Sequence, residues 1–405
     1  MTGLRYTVVA SPLHDAAAID RITSPVRAAL DGLGGAPTDD PTAQPASPHV
    51  VVMATGGTER AALDVVARRH LVVPWEPVVL VAHGVHNSLP AALETLASLR
   101  QSGVHGRIVP ADTDPELLAA AVEDLRSLHR LRGSRLGLVG EPSEWLVASV
   151  PMRERLLDRW GIELVDVDIE EPIRRHRATD PDDARPVAIR FAGHGSPDDE
   201  TVTAAALHPA LVATLAEHQV DAVAVRCFDF ITDLATSGCV ALAELNDTGV
   251  VAGCEGDVAS TVSMMIAREL LEQPAWVANP AQVDGDANTV LLAHCTVAPS
   301  MVHDLELHTH FESGLGIGLR GTFEPGWVTL MRLGGAALER HWFTDAEIVE
   351  TGSSPDLCRT QVTVRLADQP ASSLLEDPLG NHVVMVLGRH RDRLERWWQL
   401  AFGPS

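Results

Sequence analysis

The alternation of short apolar runs with helical stretches, across the first three quarters of the chain, most restricts how it can fold. A run rich in valine at 78–84, for example, is followed by a stretch of helical periodicity at 88–103. Such runs suit strands buried on both faces, and their alternation with helices is typical of parallel sheets. The alternation starts again at 135–140. The sequence therefore predicts two doubly wound parallel-sheet α/β domains, over 1–132 and 133–300.

The pattern changes after about residue 300. Segments 306–333, 360–366 and 382–388 contain alternating apolar positions and many β-branched residues, without long helices between them. This composition favours antiparallel strands. We therefore predict a C-terminal antiparallel β domain over 301–405, closed by a terminal helix.

Charge and composition exclude several classes of function. The formal net charge of −24 argues against nucleic acid and anionic membrane as partners. The sequence contains no lysine, which excludes a Walker A loop and the pyridoxal-phosphate enzymes and Schiff-base aldolases that need a lysine amine. An odd number of cysteines without CxxC spacing, no signal-peptide layout and no long apolar run predict a reduced, cytoplasmic protein.

Groups that can bind a metal or move a proton follow three predicted strands. They are Asp229, the pair Glu255 and Asp257, and His294. Because ligands bind outside the carboxyl ends of strands in open α/β sheets, we expect one shared polar site. Glu255 and Asp257 are two apart and would project to one face of an extended stretch. Two adjacent carboxylates repel each other unless a cation or proton lies between them.

Each of these residues also has a purely structural interpretation. Asp257 precedes a helix and is a favoured N-cap residue, although capping does not explain Glu255. His294 is also compatible with a hydrogen-bonded core histidine. Glu244 lies on a predicted helix, where a surface or supporting role is more common. His308 and His310 alternate in the segment HTHFE, which by itself is weak support for zinc.

Taken together, four of the candidates form a set of possible metal ligands. Asp229, Asp257, His294 and His382 provide two carboxylates and up to two imidazoles. This mixture suits Mn²⁺, Fe²⁺, Co²⁺ or Mg²⁺ better than a thiolate zinc site.

Several segments resemble the L-fucose isomerase and L-arabinose isomerase superfamily, most closely its shorter fucose-isomerase-like members. The similarity extends over nearly the whole chain, and the segments that carry it are RCFDF, GVVAGCEGDVASTVSMM, AHC, HFESGLGIGLRG, PGWVTLMRL and GNHVVMVLG. The resemblance implies a ketol isomerase with two α/β domains, a C-terminal β domain and a divalent metal, usually Mn²⁺. It also implies homo-oligomers, often trimers or hexamers, with active sites between subunits.

The resemblance also implies roles for individual residues. Asp257 matches the second acidic metal ligand of the family, and His382 matches its late histidine ligand. Asp229 stands where arabinose isomerases have an acidic residue, while Glu244 competes with it for the position of first acidic ligand. His294 resembles a further histidine ligand of the arabinose branch, with contact to the substrate as the alternative.

On this basis the sequence predicts an aldose–ketose isomerase that works through an enediol. Asp229 and Asp257 would transfer the proton between C2 and C1 of an open-chain sugar. Glu255, His294 and Arg226 would contact the substrate. A deoxy sugar, a pentose and a sulfonated sugar all remain open, and some relatives in this family act on sulfoquinovose.

Two other classes of function remain compatible with the sequence. One is a sugar-binding sensor of two α/β lobes, and the other is a metal-dependent hydrolase or lyase with the same ligands.

Overall fold

A computed structural model describes residues 3–111, 115–193 and 195–403. The described residues form two compact units. The first contains the chain up to Arg130 together with the residues from Arg393 onward, and the second runs from Leu131 to Asp392. The predicted domain boundaries at residues 132 and 300 stay predictions.

The first unit contains a parallel sheet with helices on both faces. Its strands are β1 (Leu4–Val9), β2 (Gly35–Pro37), β3 (His49–Met53), β4 (Val78–Ala82) and β5 (Gly106–Pro110). They lie in the order β2-β1-β3-β4-β5, and all paired neighbours are parallel. The helices following the strands are α1 (Ala16–Gly32), α2 (Glu59–His70), α3 (Ser88–Gln101) and α4 (Pro115–Leu131). Apolar residues of α1 and α4 pack on one face, and those of α2 and α3 pack on the other.

A buried ionic network stabilises this unit. The carboxylate of Glu76 accepts hydrogen bonds from the Arg69 guanidinium at 2.6 and 3.0 Å and from the backbone N–H of His49 at 3.1 Å. A ring nitrogen of His129 lies 2.6 Å from the same carboxylate. Burial raises the pKa of Glu76, but the hydrogen bonds from His129 and Arg69 outweigh it and hold the pKa below its ordinary value. Burial also lowers the pKa of His49 to about 4.

We expect the first unit to lose stability in acid because of His49. The unfolded chain protonates this side chain below pH 6.5, whereas the folded chain does so only near pH 4. Stability is therefore intact above pH 6.5 and falls as pH drops towards 4, by about 3 kcal/mol in total. Hydrogen exchange of the β3 amides, corrected for the intrinsic rate at each pH, measures this loss. A His49→Gln variant should show a shallower pH dependence, and an unchanged slope would contradict the assignment.

The second unit begins with another parallel sheet. Its strands are β6 (Arg135–Val139), β7 (Glu163–Val167), β8 (Ala222–Val225) and β9 (Val251–Gly253). They lie in the order β7-β6-β8-β9, and all paired neighbours are parallel. Its helices are α5 (Arg153–Trp160), α6 (Glu170–Ala178), α7 (Pro181–Ala192), α8 (Asp199–Ala205), α9 (Leu207–His218), α10 (Phe228–Leu234), α11 (Cys239–Thr248) and α12 (Val258–Leu271).

A closed antiparallel barrel follows in the same unit. The remaining strands are β10 (Trp276–Asp284), β11 (Thr289–His294), β12 (Asp304–Thr309), β13 (Ile317–Thr322), β14 (Trp327–Gly334), β15 (Arg340–Thr351), β16 (Thr360–Leu366) and β17 (Val383–Leu387). The barrel order is β10-β11-β16-β15-β14-β17, and β17 closes it by pairing with β10. Strands β12 and β13 form a separate two-stranded ribbon. The barrel interior and its covering helices share one apolar core.

Two helices complete the chain, α13 (Ser373–Glu376) and α14 (Arg391–Phe402). The tryptophan Trp397 of α14 is fully buried and donates a hydrogen bond to Ser127 within the first unit. Among the helices in the described ranges, none has both the length and the hydropathy needed to cross a membrane.

The predicted fold class, parallel α/β sheets followed by an antiparallel β domain, is confirmed. The placement of one strand is wrong, because Thr289–His294 pairs antiparallel with β10 and β16 and belongs to the barrel. His294 therefore does not end a strand of the parallel sheet. An apolar run covered on both faces looks the same in either kind of sheet, so the sequence could not distinguish them.

Candidate metal centre

The turn between β9 and α12 carries the two predicted carboxylates. Glu255 has a left-handed backbone, with φ of 62°, and Gly256 follows with φ of 70°. A Cβ at Gly256 would lie 2.8 Å from the Cα of Pro142, so only glycine fits. The backbone N–H of Ser143 donates to the Glu255 carbonyl at 2.9 Å. Left-handed backbone at a residue with a side chain costs about 1–3 kcal/mol and persists at functional sites.

Three buried side chains converge beyond this turn. Glu255, His294 and His382 each offer one ligand atom, and these atoms all lie within 4.8 Å of one another. Oε1 of Glu255 is 3.5 Å from Nε2 of His382 and 3.7 Å from Nε2 of His294. His294 comes from the end of β11, and His382 directly precedes β17. The parallel sheet and the barrel, within one compact unit, thus contribute to the same group.

The donor set fits a divalent cation. Nε2 of His382, the ring nitrogen that faces Glu255, is buried without a hydrogen-bond partner. Buried polar atoms without partners are costly, and a bound ion explains them when ligand atoms converge. One carboxylate oxygen and imidazole nitrogens suit transition metals such as Mn²⁺, Fe²⁺, Co²⁺ and Zn²⁺.

Asp257 orients His382 instead of joining this group. Its Oδ2 lies 2.8 Å from Nδ1 of His382 and accepts from the hydroxyl of Ser260 at 2.8 Å. The buried guanidinium of Arg332 also donates to this oxygen, at 3.1 Å. Asp257 caps α12 as well, through the Ser260 backbone N–H. A carboxylate that holds the far nitrogen of an imidazole directs the other nitrogen towards a metal.

The charges of this region compensate each other. Burial raises the pKa of both Glu255 and Asp257. The charge of Arg332 and the hydrogen bond with His382 outweigh this effect at Asp257, and the nearby imidazoles of His294 and His382 outweigh it at Glu255. Both carboxyl groups therefore have a pKa well below the ordinary value and are ionised. Burial lowers the pKa of His382, yet its hydrogen bond to Asp257 and the nearby Glu255 carboxylate raise it to about 9. A cation on Nε2 of His382 would replace the proton held there.

The structure does not bring Asp229 into this group. Asp229 lies in the first turn of α10, and its Oδ1 accepts from the Arg226 guanidinium at 3.0 Å. Arg226 also donates to Glu144 at 2.8 Å. Asp229 and Arg226 line a cavity of about 850 Å³ at the carboxyl ends of β6, β7 and β8. Their predicted roles in catalysis and substrate binding stay predictions.

Glu244, the alternative to Asp229, is also absent from the group. It is buried on α11 and accepts a hydrogen bond from Arg190 of α7 at 2.7 Å. Burial raises its pKa, and the charge of Arg190 opposes that effect. Its neighbours identify it as part of the packing between these two helices.

Sequence reasoning missed two residues beside the centre, Arg332 and Trp145, and gave little weight to a third, His310. Arg332 lies inside an apolar strand, and a charged residue within such a run is the sequence signal that could have identified it. Trp145 donates its indole N–H to Oε2 of Glu255 at 2.6 Å, and no local pattern marked it. His310 of the HTHFE segment is buried, and its pKa is lowered to about 4, mainly by burial.

The fold and the site define an α/β protein with a closed barrel and a buried carboxylate–imidazole group suited to a cation. Comparisons with known proteins then connect the chain to sugar isomerases. It is 27% identical over 234 residues to the sulfoquinovose isomerase of Priestia aryabhattai, covering 54% of this chain and 51% of that protein. The sulfoquinovose isomerase of Alkalicoccus urumqiensis is 26% identical over 233 residues, covering 53% of each protein.

The extent of this similarity is partial. The chain spans about half the length of the curated relatives that it matches. The sulfoquinovose isomerase of a Clostridium species, strain MSTE9, is 26% identical over 176 residues, which cover 42% of this chain and 39% of that protein. No family model matches the chain.

Proposed function

We propose that this protein is a metal-dependent aldose–ketose isomerase acting on a monosaccharide, within the L-fucose and L-arabinose isomerase superfamily. The observation that carries the proposal is the convergence of Glu255, His294 and His382, with Nε2 of His382 buried and unpaired. The similarity to sulfoquinovose isomerases over about half the chain supports the same reaction class.

The residues that would hold the metal are Glu255, His294 and His382, with Mn²⁺ as the ion that the family resemblance implies. When bound, a divalent cation supplies Lewis-acid polarisation of the sugar's carbonyl and adjacent hydroxyl oxygens. Glu255, which the sequence placed against the substrate, thus becomes a proposed ligand. His294, for which the sequence left both metal binding and substrate contact open, also becomes one. Asp257, predicted as a ligand, becomes the residue that orients His382.

Proton transfer between C2 and C1 requires a group beside the centre that is free to titrate. Asp257 is unsuited because its Oδ2 already binds His382, Ser260 and Arg332. The ring of His310 meets that of Phe228, which contacts Trp145, the hydrogen-bond donor to Glu255, so His310 lies near the group and Glu312 follows it by two positions. Burial lowers the pKa of His310 to about 4 and raises that of Glu312.

At neutral pH His310 is therefore uncharged and able to accept a proton. A hydroxyl at Ser313 lies 3.1 Å from its Nδ1 and orients the ring. We assign His310 and Glu312 to the proton transfer through the enediol, in place of the predicted pair.

We propose sulfoquinovose as the first substrate to test, because the relatives carry that name. Deoxy sugars and pentoses are the alternatives. Arg226, predicted to contact the substrate, is already paired with Asp229 and Glu144, which compensate its charge. A cytoplasmic setting and a homo-oligomer, trimeric or hexameric with active sites between subunits, also belong to this proposal.

A panel of sugars tests the function directly. The full chain, treated with chelator and reloaded with Mn²⁺, is incubated with sulfoquinovose, L-fucose and L-arabinose, and ketose formation is followed by NMR. We expect isomerisation of at least one sugar, loss of activity with chelator and recovery with Mn²⁺. Binding of a sugar without isomerisation would identify a sensor instead. Isomerisation that survives complete metal removal would also overturn the proposal.

A further inference from the structure

Trp145 is an exposed aromatic residue that is hydrogen-bonded to the buried carboxylate of Glu255. Trp145 is 50% exposed as a residue, whereas Glu255, to which it donates, is only 8% exposed. The bond joins the indole N–H to Oε2 of Glu255 at 2.6 Å. The other oxygen of Glu255, Oε1, is the one directed at His294 and His382. Trp145 therefore holds the carboxylate by the oxygen that the cation site does not use.

Trp145 also begins a row of stacked rings. Its ring meets that of Phe228 edge to face, with centroids 5.2 Å apart. Phe228 in turn meets His310 edge to face at 5.6 Å. The row leads from Glu255 to the buried His310 and keeps the indole in place. Because Trp145 remains half exposed, part of its surface is available to a ligand.

We propose that Trp145 has two roles, and this proposal rests on the proposed function. It positions Glu255 for the metal through its N–H, and its ring is a platform for the apolar C–H face of the sugar substrate. The C–H groups of sugars stack on aromatic rings, and ligand sites combine aromatic walls with a few polar anchors. The indole supplies both an aromatic wall and a polar anchor, because its ring and its N–H face different neighbours.

Two substitutions separate these roles. Trp145→Phe keeps a ring and removes the donor, whereas Trp145→Leu removes both. We expect both variants to raise the Kd for Mn²⁺ by about tenfold, as measured by EPR of the free ion. With saturating Mn²⁺, Trp145→Leu should raise KM for sulfoquinovose about fivefold. Trp145→Phe should leave KM within about twofold of the natural protein.

Trp327→Phe is the matched control, because Trp327 is 41% exposed and lies against Arg389 instead of Glu255. This substitution should change neither the Kd for Mn²⁺ nor the KM for sulfoquinovose. If both Trp145 variants bind Mn²⁺ as tightly as the natural protein, Trp145 does not position Glu255. If both variants have the same KM for sulfoquinovose, the ring is not a platform for the sugar. If the natural protein binds Mn²⁺ but isomerises no sugar, the proposed function fails while the Kd comparison still decides the positioning role. If it binds no Mn²⁺, both proposals fail.

Discussion

Replacing Glu255 with glutamine is expected to abolish isomerisation and to weaken Mn²⁺ binding at least ~100-fold. Glu255 is the only anionic member of the group formed with His294 and His382. Glutamine keeps the shape of the side chain and its left-handed backbone, so the change removes only the charge. Because a catalytic metal supplies several kcal/mol of transition-state stabilisation, kcat/KM should fall by about a thousandfold or more. Titration calorimetry with Mn²⁺ and the sugar assay measure the two effects.

Glu244→Gln is the matched control for this variant. Glu244 is also a buried glutamate, but its partner is Arg190 on a neighbouring helix. Its substitution should leave the Kd for Mn²⁺ unchanged, whatever it does to stability. Equal Mn²⁺ affinity in Glu255→Gln and the natural protein would place the metal elsewhere.

Asp257→Asn is expected to weaken Mn²⁺ binding by about 10–100-fold without removing any ligand. The carboxylate holds Nδ1 of His382, and an amide in its place no longer compensates the buried Arg332. Leaving a buried charge unpaired typically costs about 3–5 kcal/mol, so the free energy of unfolding should fall as well. Calorimetry with Mn²⁺ and urea unfolding provide the two measurements.

A substitution at a second buried aspartate separates the effect on stability from the effect on metal binding. Asp124 accepts a hydrogen bond from Arg107 at 2.7 Å in the first unit. Asp124→Asn should lower stability in the same way and leave Mn²⁺ affinity unchanged. If Asp257→Asn loses stability but binds Mn²⁺ normally, Asp257 acts only as a helix cap and charge partner.

Local sequence patterns identified much of the candidate site. The segment CEGD stands out because its carboxylates lie two apart before a helix; Glu255 belongs to the group, and Asp257 binds His382 beside it. The expectation of extended backbone did not include the left-handed turn at Glu255, and the exchange of roles between Glu255 and Asp257 stays a proposal. Asp229 was expected beside them because it also follows a strand of the same sheet. Its side chain instead binds Arg226, a choice of rotamer that no local pattern determines.

By itself, the sequence determined the class of fold and the position of the acidic segment before α12. Apolar runs and helical periodicity are local patterns, because each is read from residues that lie close together in the sequence. Only the tertiary structure decided that β11 is a barrel strand and that His294 and His382 meet Glu255. Asp257 and His382 are 125 positions apart, and their contact depends on how the barrel closes onto α12. Such long-range pairing arises from the packing of whole elements, which a single sequence does not display.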